Sequence, residues 1–169
     1  MTQQTTNPKL VLTRILDAPV ELVFKAWTEP ERLAQWWGPK GSSITVQKFD
    51  LQPGGVFHYC MQHPNAGEMW ALFTFREISP VNKLVFVSSF SDADGNIIVG
   101  PFFTTWPLEI LNILTLEETN GKTTLTLTGE PINATAEEMQ AYTNMISNME
   151  QGFAGTFERL DDYLSSTNA

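Results

Sequence analysis

The sequence is poor in the residues that mark several classes of protein. Its 169 residues contain one cysteine, Cys60, and two histidines. A single cysteine cannot form an intramolecular disulfide, which is typical of a reducing compartment. No apolar run approaches the ~18 residues of a transmembrane helix, and the first ten residues lack the basic and apolar regions of a secretory signal. We therefore expect a cytoplasmic protein without a membrane-bound segment.

Positive charge is also scarce. Ten Lys and Arg stand against nineteen Asp and Glu, which gives a formal net charge of −9. Such a surface repels phosphate backbones and anionic lipids, so neither nucleic acid nor a membrane surface is expected as a partner. The apolar fraction of 42%, with 11 Phe and 5 Trp, excludes a disordered chain and is sufficient for the core of one domain.

The N-terminal quarter of the chain shows a change of hydrophobic period from strand to helix. The elements predicted here are a strand over residues 9–16 and helices over 17–27 and 28–37. Asp17 or Ala18 is expected to cap the first helix, with Pro19 in its first turn. Thr28 and Glu31 fit a capping box for the second helix. The "GP" that follows Trp37 is expected to end that helix.

From residue 43 to 130 the apolar residues alternate with a period of two. Six segments have this pattern: "SITVQKFDL", "GVFHYCM", "EMWALFTFREI", "KLVFVSSF", "LEILNILTLEE" and "KTTLTLTGE". The "TNG" between the last two predicts a tight hairpin, since Asn and Gly tolerate positive φ. A helix over 135–164 follows, with Thr135 and Glu138 as a capping box. These patterns predict an α+β fold in which a curved antiparallel sheet wraps around the C-terminal helix.

The motifs "LTRILDAPVELVFKAWTEPERLAQWWGPKG", "DLQPGGVFHYCM" and "MEQGFAGTFERLDDYL" carry a resemblance to a known family. The chain resembles the activator of heat-shock-protein-90 ATPase homologue-1-like family, within the SRPBCC or START-like superfamily that includes the birch pollen allergen. The resemblance implies a helix-grip fold with seven strands and two short helices between strands 1 and 2. The resemblance covers residues 9–164 as one domain, and the polar residues at 1–8 and 165–169 are expected to be flexible ends. It also implies a cavity between the sheet and the long helix, roofed by the two short helices.

Aromatic and methionine side chains are the candidates for lining that cavity. Adjacent helical residues point about 100° apart, so one of Trp36 and Trp37 is expected in the core and the other at the cavity mouth. Phe153 stands where the family usually has Trp, which implies a larger cavity at that point. A fully packed core would need the same residues, and this alternative stays open. The predicted ligand-binding residues are Trp36, Trp37, Phe57, Tyr59, Met61, Phe73, Phe75, Phe86, Trp106, Met145, Met149 and Phe153.

Other groups in the sequence carry weaker signals for chemistry. His58, Cys60, His63 and Glu68 have a spacing compatible with a metal site, but surface histidines and a small buried thiol are favoured. The "SDADGN" segment at 91–96 lacks the full ligand set of a calcium loop and predicts a turn. The carboxylates of Glu68, Glu77 and Glu109 lie on predicted strands without a paired spacing. Neither a metal nor a cofactor is expected.

Three functions remain as hypotheses at this point. The first is the binding of a small apolar or amphipathic molecule in the cavity. The second, implied by the family's name, is a co-chaperone that stimulates a chaperone ATPase. The separate domain that makes the main chaperone contact in the family's eukaryotic member is expected to be absent, because the first strand begins near Lys9. The third is a cyclase or isomerase acting in the same cavity. The sequence is compatible with a monomer or a homodimer.

Overall fold

The computed structural model describes residues 9–65, 67–100 and 103–167. Two short helices lie between the first and second strands, and a long helix ends the described chain. The elements are β1 (Leu10–Leu16), α1 (Val20–Thr28), α2 (Pro30–Trp36), β2 (Ser43–Phe49), β3 (Val56–His63), β4 (Gly67–Ser79), β5 (Lys83–Ser91), β6 (Ile110–Thr119), β7 (Lys122–Pro131) and α3 (Ala136–Thr167). The predicted α+β, helix-grip fold is confirmed.

The seven strands form one antiparallel sheet in the order β1-β7-β6-β5-β4-β3-β2. Strands β2 to β7 form a meander in chain order. The first strand, β1, pairs with the last, β7, so β1 and β2 are the two edges of the sheet. The register shifts between Val46 and Lys48 on β2 and between Phe75 and Glu77 on β4. Such bulges bend a strand and increase its twist, which lets the sheet curve around α3.

The turns predicted from "TNG" and "SDADGN" are both present. Asn120 and Gly121 have φ of 54° and 80° and connect Thr119 to Lys122 as a tight hairpin. In the other turn, the Asp92 carboxylate accepts hydrogen bonds from the backbone N–H groups of Asp94 and Asn96, at 2.9 Å each. Since the carboxylate is used to hold its own turn, the segment folds as an Asx-type turn.

The short helices begin later than the sequence suggested. The N-cap of α1 is Pro19, and neither Asp17 nor Ala18 caps it. The N-cap of α2 is Glu29, without a side-chain capping bond, and Pro30 is its first residue. The predicted capping box of Thr28 and Glu31 is therefore wrong. Thr28 is the last residue of α1, where its hydroxyl donates to the carbonyl of Phe24 at 2.7 Å.

The capping box of α3 is confirmed by two reciprocal hydrogen bonds. The Thr135 N–H donates to Glu138 Oε1 at 2.9 Å, and the Glu138 N–H donates to Thr135 Oγ1 at 3.1 Å. The helix continues to Thr167, three residues beyond its predicted end. Residues 1–8, and the part of the predicted C-terminal end at 168–169, lie outside the described residues.

Helix α3 lies across the concave face of the sheet and is attached to it near both ends. The Tyr142 hydroxyl donates to the Gly129 carbonyl of β7 at 2.8 Å. Toward the other end, the Arg14 guanidinium of β1 donates to the Asp161 carboxylate at 2.9 and 2.5 Å. Neither α3 nor any other helix in the described part of the chain combines the length and the apolar character that crossing a membrane requires.

Candidate functional site

The apolar face of α3 is not packed along its whole length. Tyr142 near the N-terminal end and Phe157, Leu160 and Leu164 in the C-terminal half are at most 3% exposed. Between them, Ile146, Met149 and Phe153 belong to the same stripe but are only half-buried. A helix that packed evenly against the sheet would bury the whole stripe. The interruption therefore indicates space between the middle of α3 and the sheet.

Part of this space is an inner chamber of about 180 Å³ over the middle of the sheet. Its floor comes from β3 to β7, and its roof comes from Trp37 and Phe153. The lining is mainly aromatic and aliphatic. The residues are Trp37, Tyr59, Met69, Ala71, Phe73, Phe86, Ser88, Ser89, Phe90, Trp106, Pro107, Ile110, Asn112, Leu127 and Phe153.

An outer chamber of about 220 Å³ adjoins the inner one. The two share Trp37, Tyr59 and Phe153, which lie between them. The other lining residues of the outer chamber are Gly38, Pro39, Met61, Met149, Gly152 and Thr156. Pro39 and Gly152 are exposed, so this chamber opens to the surface. A Cβ added at Gly152 would meet no atom outside its own stretch of helix within 4 Å, so the space beside this residue is open.

The adjacent tryptophans at the end of α2 occupy different environments, as the helical geometry predicts. Trp36 is fully buried, packs edge-on against Trp27 and donates from Nε1 to the Ala26 carbonyl at 3.0 Å. Trp37 lines both chambers and donates from Nε1 to the Tyr59 hydroxyl at 3.0 Å. The first tryptophan therefore fixes the short helices to each other, and the second is the partition between the chambers.

Eight of the twelve residues predicted to bind a ligand lie on the walls of the chambers. These are Trp37, Tyr59, Met61, Phe73, Phe86, Trp106, Met149 and Phe153. Trp36, Phe57 and Phe75 line neither chamber and are at most 1% exposed. Met145 lines neither chamber and packs instead against the small cluster of Leu10, Trp106 and Tyr142.

The different positions of Phe57 and Phe75 have a simple cause. They are on β3 and β4, where strand alternation places Phe57 on the same face as Tyr59. The ring of Phe49 from the edge strand β2 lies 5.4 Å from Phe57 and 5.9 Å from Phe75, and this contact fills the space beside them. The sheet is therefore packed at this end rather than open.

The polar groups of the inner chamber are uncharged. Burial raises the pKa of Tyr59 to about 12, and the hydrogen bond from Trp37 only partly offsets this effect. The phenol is therefore protonated at neutral pH and is a hydrogen-bond donor rather than a base. Asn112 and Ser88 lie together on the floor, with Asn112 Nδ2 2.9 Å from Ser88 Oγ. No Asp, Glu, Lys, Arg or His is among the described residues that line either chamber.

The chamber residues that the sequence did not single out had a signal in the strand pattern. Asn112 interrupts a row of apolar residues on β6, where Leu114 and Leu116 point to the same face. Ser88 does the same on β5 between Phe86 and Phe90. A polar residue at a core-facing position is unusual and indicates a specific partner or function.

The other candidate groups lie away from the chambers. The His58 ring packs against Trp70, and Nε2 lies 3.2 Å from the Asp92 carbonyl. His63 Nδ1 accepts a hydrogen bond from the Asn65 N–H. Burial raises the pKa of the Cys60 thiol, which disfavours the thiolate that a metal or nucleophilic site requires. Across residues 9–65, 67–100 and 103–167, His, Cys, Asp and Glu side chains form no group of three able to hold a metal ion.

The carboxylates considered from the sequence are also outside the chambers. Glu68 and Glu77 are exposed, and Glu77 contacts Ser79 and Lys83 on the surface. Glu109 accepts a hydrogen bond from the Asn133 amide at 3.2 Å. None of the three faces the cavity, so the geometry does not offer them as acid or base catalysts for a bound molecule.

Comparison with known proteins agrees with the fold. The crystal structure of a Mycobacterium smegmatis protein is 26% identical with a TM-score of 0.77, and the alignment covers 94% of this chain and 91% of that one. The crystal structure of a Nitrosomonas europaea protein is also 26% identical with a TM-score of 0.77, and the alignment covers 98% of this chain and 99% of that one. The solution structure of an Arthrobacter aurescens protein is 25% identical with a TM-score of 0.79 and covers 94% of this chain and 86% of that one. No curated protein matches significantly. The profile of the family described as "Activator of Hsp90 ATPase homolog 1-like protein" matches residues 17–165, and the chain therefore belongs to this family.

Proposed function

We propose that this protein binds a small, uncharged, mainly apolar molecule in the two chambers between the sheet and α3. The observation that carries the proposal is the interrupted burial of α3, where the half-buried Met149 and Phe153 line the chambers. Each chamber alone is smaller than the ~300 Å³ at which ligand pockets usually begin, and the two together exceed it.

The composition of the walls supports an apolar ligand. Aromatic rings surround the inner chamber on several sides, with the Phe73 and Phe86 rings stacked at 4.3 Å and the Trp37 ring edge-on to Phe73 at 5.4 Å. Flat rings in this arrangement favour a flat apolar molecule. Met61 and Met149 on the outer chamber are flexible and adapt to ligands of different shape.

The geometry also supports a route of entry through the outer chamber. The Arg159 guanidinium of α3 donates to the carbonyls of Gly38 and Pro39 at 3.0 Å each, which holds the loop after α2 close to the long helix. A ligand would pass between this loop and the exposed Gly152, then reach the inner chamber past Trp37 and Phe153. A rotation of either aromatic ring would open the partition.

The other two hypotheses have less support. A role as activator of a chaperone ATPase rests on the description of the family. A cyclase or isomerase would need a group in the chambers that exchanges a proton near neutral pH, and Tyr59, whose pKa is raised to about 12, does not meet that need. The cytoplasmic location and the monomeric or dimeric state stay predictions.

Native mass spectrometry of the gently purified protein, followed by solvent extraction, tests the proposal directly. We expect a defined small molecule at about one per chain, or, for protein that has lost it, a thermal shift with two-ring aromatic compounds. The variant Gly152→Trp places an indole at the open mouth and should reduce this binding strongly. Ala154→Trp is the matched control, because Ala154 is exposed on the same helix and lines neither chamber.

The result against the proposal is equally clear. A clean mass of the unliganded chain, together with no thermal shift across a panel of aromatic and aliphatic compounds, would refute ligand binding. Equal loss of binding in both tryptophan variants would place the binding site on the surface of α3 rather than in the chambers. A chaperone mixing assay with the wild-type protein would then be the next measurement, since it tests the family description.

A further inference from the structure

We infer that the ligand carries a neutral hydroxyl group, which Asn112 and Ser88 bind on the floor of the inner chamber. This inference rests on the proposed function and adds the chemical class of the ligand, an uncharged alcohol or phenol. It is carried by a polar pair in an otherwise apolar wall: Asn112 is 8% exposed and Ser88 is half-buried beside it.

The neighbours of Asn112 determine the orientation of its amide. The Nδ2 atom lies 3.0 Å from the Ile110 carbonyl oxygen and 2.9 Å from Ser88 Oγ. A carbonyl oxygen only accepts hydrogen bonds, so the group facing Ile110 must be the NH₂ and not the amide oxygen. Its two protons are used by Ile110 and Ser88. The oxygen of the same amide, Oδ1, is therefore directed away from both of these partners.

Oδ1 of Asn112 is the free acceptor in this arrangement. It receives a hydrogen bond from no described residue, yet it is not sealed inside the protein as Ser89 Oγ and Trp27 Nε1 are. The Tyr142 hydroxyl, which like Oδ1 lies beside Gly129, is already engaged, because it donates to the Gly129 carbonyl at 2.8 Å. Asn112 lines the inner chamber, and we take the open side of Oδ1 to face the ligand space.

Ser88 supplies the complementary donor. Its oxygen accepts a hydrogen bond from Asn112 Nδ2, which leaves the hydroxyl hydrogen without an acceptor among the described residues. The floor therefore presents one acceptor and one donor side by side. A hydroxyl group both donates and accepts, and it can satisfy the two at once. A ligand without a polar group would leave both of them unpaired after water is displaced, which is costly.

The same wall disfavours charged ligands. A carboxylate or phosphate would face the negative end of the Asn112 amide dipole, and an ammonium would find one acceptor where it needs three. The described lining of both chambers offers neither a cation nor an anion to compensate a buried charge. The site thus discriminates by the presence of a hydroxyl group and the absence of charge.

A pair of probes that differ by one hydroxyl group tests this inference. We would measure the Kd of 2-naphthol and of naphthalene for the wild-type protein and for Asn112→Leu, Ser88→Ala and Ser91→Ala by calorimetry or ligand fluorescence. Asn112→Leu should weaken 2-naphthol binding roughly tenfold and leave naphthalene unchanged or tighter. Ser88→Ala should weaken 2-naphthol a few-fold. Ser91→Ala is the matched control, since Ser91 is a buried serine of the same strand that lines neither chamber.

The outcomes separate the two proposals. If both probes bind but the ratio of their Kd values is the same in the wild-type protein, Asn112→Leu and Ser88→Ala, the hydroxyl inference is wrong and the apolar cavity stands. If 2-naphthoate binds more tightly than 2-naphthol, the neutral character is wrong. If neither probe, nor any of the larger alcohols and hydrocarbons in a paired panel, binds the wild-type protein, the proposed function itself fails. Ser88→Ala preserves all backbone hydrogen bonds and keeps the test valid should Asn112→Leu not fold.

Discussion

A single substitution made at two buried alanines distinguishes an open chamber from a packed core. Ala71 is 7% exposed on β4 and lines the inner chamber, whereas Ala26 is fully buried in α1 beside the Trp36 indole. In Ala71→Leu the added carbons enter the chamber. Burying them is worth ~0.8 kcal/mol per methylene, or ~2.4 kcal/mol for three. Ordering the leucine side chain costs ~0.5 to 1 kcal/mol of conformational entropy, so the net increase in the free energy of unfolding is ~1.5 kcal/mol.

The same change in Ala26→Leu should have the opposite sign. The carbonyl of Ala26 accepts the hydrogen bond from Trp36 Nε1, and its side chain is fully buried and lines neither chamber. Overpacking of this kind costs ~1–3 kcal/mol. We would measure both free energies of unfolding by urea denaturation, with the slope of each transition compared with that of the wild-type protein. If Ala71→Leu destabilises the protein as much as Ala26→Leu, the chamber holds no usable space and the argument for a cavity fails.

Three further predictions concern the elements that frame the chambers. Thr135→Ala removes the capping box of α3 and should cost ~1 kcal/mol in urea unfolding, while Thr143→Ala on an exposed turn of the same helix should cost less than ~0.5 kcal/mol. Burial raises the pKa values of Tyr59 and Tyr142 to about 12. The free energy of unfolding should therefore stay constant up to pH ~10 and fall between pH ~10 and 12, by about 1.4 kcal/mol per pH unit for each tyrosine. Denaturation measured across that pH range checks this. Gly152→Ala should raise the unfolding free energy by ~0.5–1 kcal/mol, since its Cβ meets open space on a helix.

Each of these predictions has a result that contradicts it. Equal losses from the two threonine variants would mean that the reciprocal bonds of the cap do not stabilise α3. Stability that stays constant up to pH 12 would mean that the two phenols ionise as easily in the folded protein as in the unfolded chain. The sign follows because the unfolded state releases these protons first, near pH 10, and is then favoured. A destabilised Gly152→Ala protein would show that the helix around the chamber mouth is under a constraint not visible in its contacts.

The fold was predictable from the sequence because each of its elements has a local cause. The change of period near residue 43 separates the helices from the meander, and Asn120-Gly121 has the positive φ that its hairpin needs. The capping box at Thr135 marks the start of α3 to within one residue. The starts of α1 and α2 were misplaced because Pro19 and Pro30 fit several positions in a first turn, and only the backbone N–H bonds decide which residue is the cap.

The site was predictable only in part, because strand alternation tells which face a residue is on and not what lies opposite. Phe57 and Tyr59 are on the same face of β3, yet Phe57 packs against Phe49 of the edge strand whereas Tyr59 lines the chambers. The difference depends on how far the sheet curls, which the bulges on β2 and β4 control. For the two polar residues on the chamber floor, in contrast, the sequence pattern is informative. Asn112 and Ser88 break an apolar row that a packed core has no reason to break, so the sequence marks the chemistry of the cavity more clearly than its size.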